Sequence, residues 1–196
     1  MQLYLNKASP YARLVLVVTY EKQLTDRVEL VWTDPWASEP ALLGVTPFAK
    51  VPVLIAEDDA PLVESACICD YLDSIGSAPR LLPASGAARL GTLRKCGLGR
   101  GLIDVAFGAV IQDRYAPAAD NILYTRWSEA VRRAVAALEN VPAPAAEPDL
   151  GDLTIAVGLS YLDFRMPQTS WRQSAPGLAK WFEHVSARES MTKTAP

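Results

Sequence analysis

The chain has 196 residues, half of them hydrophobic and 21% charged, with a formal net charge of −3. That length supports one large domain or two small ones with a real core, and the slightly acidic balance gives no basic footprint for nucleic acid. The longest apolar run, Leu14 to Val18, is far too short to span a bilayer, and Met1-Gln2-Leu3-Tyr4-Leu5 lacks the basic start and apolar core of a signal peptide.

Leu3-Tyr4-Leu5 predicts a short strand, ended by Asn6 and Lys7. Pro10 to Lys22 contains Leu14–Thr19, β-branched and apolar all round, a pattern that a buried strand and a buried helix share. Ser9 as N-cap and Pro10 at the first helical position tip it toward a helix. Val28 to Trp32 reads as a strand, and Pro40 to Val45 as a helical turn or short helix stopped by Pro47. Val51 to Ile55 and Leu62-Val63 read as hairpin strands around Glu57-Asp58-Asp59-Ala60-Pro61. Pro52 cannot donate to a ladder, so its place in a strand points to an edge, a bulge or a cis peptide. Ser65 to Ser74 follows as a helix, with Ile68, Tyr71, Leu72 and Ile75 on one face.

Composition changes after Gly76, and Ser77 to Gly86 reads as a linker. No strand pattern follows Ala87. Gly97, Gly99 and Gly101 follow no strand, so they read as small residues allowing close helix packing rather than a phosphate loop. Asn121 to Asn140 predicts an amphipathic helix with Leu123, Trp127, Ala130, Val131, Ala134 and Leu138 on its apolar stripe. Pro142 to Pro148 reads as a loop, Thr154 to Phe164 as a buried helix, and Pro176 to Ser186 as the last helix. Cys67, Cys69 and Cys96 lack C-x-x-C spacing; free thiols in a reducing compartment, and hence a cytoplasmic protein, are expected. Cys67 and Cys69 fall on different sides of their helix, which argues against a metal site, and His184 has no visible partner.

Three short segments carry the chemistry. Ser9 reads first as a helix cap, but a hydroxyl at a helix N-terminus also sits where partial positive charge favours an anion. Ser65 stands in the same relation to the helix it opens, with Glu64 before it. Ser9-Pro10-Tyr11-Ala12-Arg13, then Thr46 to Leu54 with Val51-Pro52 inside it, then Val63-Glu64-Ser65, resemble in this order the glutathione transferase superfamily. The first segment is similar to the serine-type Ser-Pro-Phe segment of plant and bacterial members. It is also similar to the Cys-Pro-Phe segment of thiol-transferring relatives, with serine in place of cysteine.

The resemblance covers nearly the whole chain. It implies an α/β thioredoxin-like N-terminal domain with a mixed four-stranded sheet over 1–76, a linker over 77–86, and an all-α C-terminal domain over 87–196. It further implies glutathione as co-substrate, no metal, and a hydrophobic electrophile. Trp32, Trp36 and Tyr115 could line the pocket for that electrophile or serve equally in core or dimer packing. In the family Ser9 would stabilise the glutathione thiolate, and Val51 would pair through its backbone with the cysteinyl part beside a cis Pro52. Lys50 would reach the glycyl carboxylate, while Glu64 and Ser65 would hold the γ-glutamyl end. The expected protein is therefore a homodimeric glutathione transferase. Its rivals are a non-catalytic binding or regulatory protein on the same fold and a glutathione-dependent reductase or isomerase, the latter disfavoured because serine cannot form a mixed disulfide. Helical domains of this family carry a capping box of Ser or Thr with Asp three residues on. Taken from Thr154, that third position is Val157, so the reciprocal carboxylate bond is expected to be missing.

Overall fold

In the computed structural model, which describes residues 1–117, 121–140 and 147–196, the chain divides into two units. Unit 1 comprises Met1–Leu82 together with Glu189–Pro196, and unit 2 comprises Pro83–Arg188. The expectation of a single helical domain running from 87 to 196 is thus corrected at its far end, where a short segment returns to unit 1.

Unit 1 begins with β1 (Gln2–Leu5), α1 (Pro10–Glu21), β2 (Glu29–Trp32) and α2 (Pro40–Leu43). It continues with β3 (Val53–Ile55), β4 (Pro61–Val63) and α3 (Ser65–Ile75). The four strands form one sheet in the order β2-β1-β3-β4. β1 runs parallel to β2 and antiparallel to β3, and β3 runs antiparallel to β4, so the sheet is mixed as expected. Pro52 lies just outside β3, and Pro61 sits in the edge strand β4, where its missing N–H costs no ladder bond inside the sheet. Ala12 to Thr19 of α1 are all buried, which is why that stretch shows no helical period.

The segment after α3 is fastened by charge. Asp73, fully buried on α3, accepts from the backbone N–H groups of Leu81 (2.8 Å) and Leu82 (3.1 Å), and from Arg80 Nε (2.9 Å). Lys22, fully buried at the end of α1, lies 3.2 Å from the same carboxylate and donates to the carbonyls of Ala78 and Pro79. Gly76 has to be small, because a Cβ there would stand 2.6 Å from Lys22 Cβ. Residues 77–82, expected as a plain linker, are therefore tied into unit 1.

Unit 2 is helical throughout its described residues. It holds α4 (Gly86–Tyr115), α5 (Ile122–Leu138), α6 (Leu150–Arg165), α7 (Trp171–Ser174) and α8 (Pro176–Ser186), with one 3-10 turn at Pro167–Thr169. Residues 141–146 of the expected proline-rich loop lie outside the described residues. On α5 the buried positions are Val131, Val135 and Leu138, while Leu123, expected on the apolar stripe, is exposed. Gly99 lets α4 and α6 approach closely: a Cβ there would come 2.7 Å from the backbone N of Ile155. Gly97 and Gly101 face open space, so the close-packing reading holds for Gly99 alone.

The start of α6 corrects the expected cap. Asp149, not Thr154, is the N-cap, and Asp152 is the third residue beyond it. Asp149 Oδ1 accepts from Asp152 N at 3.0 Å, and Asp152 Oδ2 accepts from Asp149 N at 3.1 Å, a complete capping box. Lys95 of α4 bridges both carboxylates at 2.7 and 2.8 Å. Thr154 lies one turn inside, its hydroxyl donating to Leu150 O, so Val157 replaces nothing. A further helix, α9 (Glu189–Lys193), follows α8 and belongs to unit 1, so Pro176–Ser186 is not the last helix.

Candidate functional site

The sheet register brings the three motifs of unit 1 to one end. Tyr4 of β1 pairs with Val53 of β3, and Val53 pairs with Val63 of β4. Beyond that row β1 runs out toward Ser9, β3 is entered from Val51-Pro52, and β4 leads into Glu64-Ser65. The first turns of α1 and α3 therefore both begin at this edge, each offering backbone N–H groups and the positive end of a helix dipole. Two such termini at one sheet end make an environment suited to anionic groups.

Ser9 is the N-cap of α1, in extended backbone conformation, and its Oγ accepts from Ala12 N at 3.2 Å. That bond uses a lone pair and leaves the hydroxyl proton able to donate. Ser9 is half-buried, while Pro10, Ala12 and Arg13 in the turn behind it are buried. The Val51–Pro52 peptide is cis and both residues are buried, whereas Lys50 is exposed. Glu64 is exposed and adopts φ +70°, a left-handed conformation unusual for a non-glycine residue, as it hands β4 over to α3. Ser65 is the first residue of α3 and is 2% exposed. The N-cap position belongs to Glu64, so Ser65 does not cap the helix as the plain reading of the sequence had it.

Other titratable groups are accounted for by packing. Burial pushes the Cys96 thiol up to about 11, which keeps it protonated and unreactive. Cys67 is exposed and Cys69 buried, on different sides of α3 as expected. Among the described residues no cluster of His, Cys, Asp and Glu could hold a metal ion, and no helix is long and apolar enough to cross a membrane. Trp32 and Trp36 are exposed in unit 1, and Tyr115 is exposed in unit 2. A cleft of about 390 Å³ in unit 2 is lined by Asp163, Ser170, Trp171 and Arg172, but its carboxylate and guanidinium already pair with each other.

The sequence reading missed Arg13. It belongs to the first motif, yet the residue is only 8% exposed, its guanidinium reaches partners within unit 1, and burial lowers its pKa to about 10. An arginine in the run Tyr11-Ala12-Arg13-Leu14-Val15 is the only polar residue between apolar neighbours on both sides, and that was the available signal.

Family models match both parts of the chain: "Glutathione S-transferase, N-terminal domain" over residues 8–75 and "Glutathione S-transferase, C-terminal domain" over residues 121–184. A glutathione transferase family member from Pseudomonas fluorescens Pf-5, solved with bound glutathione, is 34% identical with a TM-score of 0.91, over 100% of this chain and 98% of that one. A glutathione S-transferase from Methylobacillus flagellatus KT, also solved with glutathione, is 28% identical with a TM-score of 0.90, over 100% and 98% of the two chains. The uncharacterised GST-like protein YibF of Escherichia coli K12 is 28% identical over 204 aligned positions, covering all of this chain and 98% of its own. The matched segment 8–75 contains the Ser9, Val51-Pro52 and Glu64-Ser65 motifs, and the chain belongs to the glutathione S-transferase superfamily.

Proposed function

We propose that the chain is a glutathione transferase that binds glutathione in unit 1, ionises its thiol beside Ser9, and adds the sulfur to a hydrophobic electrophile. The observation that carries this reading is the convergence of two helix N-termini, with Ser9 and Ser65 at their mouths, at one end of the sheet. Ser65 and the first amides of α3 hold the γ-glutamyl carboxylate, and Glu64 orients the γ-glutamyl ammonium. The Val51 backbone pairs with the cysteinyl unit in the manner of a short added strand, and Lys50 reaches the glycyl carboxylate. The sulfur then lies at Ser9, whose hydroxyl donates to the thiolate. A thiol of ordinary pKa, about 8.5, is mostly protonated at neutral pH, so this bond and the dipole of α1 raise the nucleophilic fraction. No metal is needed for that chemistry, and serine at position 9 favours transfer over thiol–disulfide exchange.

The working form is read as a cytoplasmic homodimer with a detoxifying role. Trp32, Trp36 and Phe48 leave half or more of their surface exposed in the isolated chain, which supports self-association. Light scattering returning a concentration-independent mass near 21.3 kDa would remove the dimer. For the site itself, reduced glutathione is titrated calorimetrically into the parent and Ser65→Ala. Binding to the parent and a loss of about 1–3 kcal/mol in the variant, the range for unpairing a charge-assisted hydrogen bond, are expected. Equal affinities would move the γ-glutamyl site elsewhere, and no binding to the parent would sink the function.

A further inference from the structure

The Ser9 hydroxyl is placed by the first turn of α1, and that turn is gripped by a segment 178 to 181 residues further along the chain. Arg13 N donates to Ser9 O at 3.0 Å, one helical turn from the cap. Its guanidinium runs under the helix to the α9 segment, where Nη2 donates to Met191 O at 3.1 Å and Nε to Thr194 Oγ1 at 3.4 Å. The Thr194 hydroxyl in turn donates to Ser190 O at 2.7 Å, which fixes the acceptor. At the opposite end of α1 the Ser190 hydroxyl donates to the Glu21 carboxylate, and the Lys193 ammonium stands 5.8 Å from the Tyr20 ring centre. Met191 is 2% exposed between them.

A merely adhesive contact would need no arginine here. Apolar side chains fill buried space at least as stably as buried charges, whose desolvation is costly. Charged donors aimed at a carbonyl and a hydroxyl instead give direction, and even at about 10 the guanidinium remains a cation at neutral pH. We infer that Arg13 is a positioning residue, through which Met191–Thr194 fix the first turn of α1 and with it the direction of the Ser9 hydroxyl toward the glutathione sulfur. This inference rests on the glutathione reading given above.

The test uses Thr194→Val, which keeps the volume and removes the acceptor, and Arg13→Lys, which keeps the charge and removes the fork. Hydrogen exchange is followed first, on the ligand-free chain. Faster exchange at the Ala12 and Arg13 amides, with the β1 and β3 amides unchanged, is the expected result. The pH dependence of thiolate absorbance with bound glutathione is then compared with that of Ser9→Ala and of each double variant. The bound thiol is expected to titrate higher in Thr194→Val, each pKa unit removing about tenfold of the thiolate below the midpoint. Calorimetric affinity should change little, and the shift should vanish once Ser9 is alanine. Unchanged exchange, an unchanged titration, or a shift that persists in the Ser9→Ala background would each overturn the positioning role. A parent that binds no glutathione brings down the function and this role together, and calorimetry on the parent separates that case from the others. Should Arg13→Lys fail to fold, Thr194→Val carries the test alone.

Discussion

Lys22→Met is the perturbation that most directly probes how unit 1 is closed. The side chain is fully buried, 3.2 Å from Asp73, and donates to two carbonyls of the following segment. Methionine fills similar space and leaves Asp73 with Arg80 and the Leu81 and Leu82 amides. Stripping a buried charge of its partner costs about 3–5 kcal/mol. Those remaining donors put the expected loss at the lower end, about 3 kcal/mol, or about 6–12 °C of melting temperature for a chain of this size. Burial alone would raise the Asp73 carboxyl, but the Leu81 and Leu82 amides, Arg80 and Lys22 overcome it and hold it below the usual carboxylate value. Its folded-state pKa is therefore depressed. The stabilisation is complete at neutral pH and drains away as pH falls below the ordinary carboxylate range through the folded value. Differential scanning calorimetry of parent, Lys22→Met, Asp73→Asn and the double variant, at neutral pH and in acid, measures both quantities. The double variant should lose less than the sum of the singles, because each single leaves one charge uncompensated. A neutral-pH melt within 2 °C of the parent, the scale of a fraction of one kcal/mol, would refute the account of a charge-fastened segment.

Ser9→Ala should raise the pKa of bound glutathione and lower turnover with nearly unchanged affinity, while costing about 1 kcal/mol of stability through the lost cap to Ala12; thiolate absorbance and thermal melts report the two separately. Ser9→Cys should gain some thiol-transfer activity in a disulfide-exchange assay, since a thiol at a helix N-terminus ionises readily. Gly99→Ala should destabilise by about 1–3 kcal/mol, its Cβ meeting Ile155 backbone at 2.7 Å, whereas Gly97→Ala, facing open space, should stabilise by about 0.5–1 kcal/mol in urea denaturation. Asp149→Ala should cost about 1–2 kcal/mol in the same assay, because it opens the capping box and removes one of the two carboxylates on Lys95.

Particular residues show what a one-dimensional reading can reach. Ser9-Pro10 marked the start of α1 because capping chemistry is local, set by a side chain and an amide three residues away. The same rule failed at α6. Thr154 offered a familiar capping hydroxyl, and the helix is buried from Leu150 to Leu159, so no polar stripe showed where it began. Lys22 and Asp73 reached the core as a pair separated by fifty residues, and a lysine or aspartate read singly belongs on a surface. The role of Arg13 is invisible within its own motif, because its partners lie at Met191 and Thr194. Helix α9, at five residues, is too short to show a period at all. The three site motifs were legible as a set through Ser9-Pro10, Val51-Pro52 and Glu64-Ser65 in this order, whereas the left-handed turn at Glu64 was not, since nothing in a glutamate announces it. Their meeting at one sheet edge was not, because it depends on pairing of strands with different partners.

Because Glu189–Pro196 packs with Met1–Leu82, unit 2 is an insertion within unit 1 in the order of synthesis. Domains normally fold as they leave the ribosome, earliest first. Here the earliest unit cannot finish first: its helix α1 waits for a brace that is translated only after every residue of the helical unit. Until Glu189–Pro196 has been made, unit 1 therefore stays open along α1, with Arg13 still lacking Met191 and Thr194.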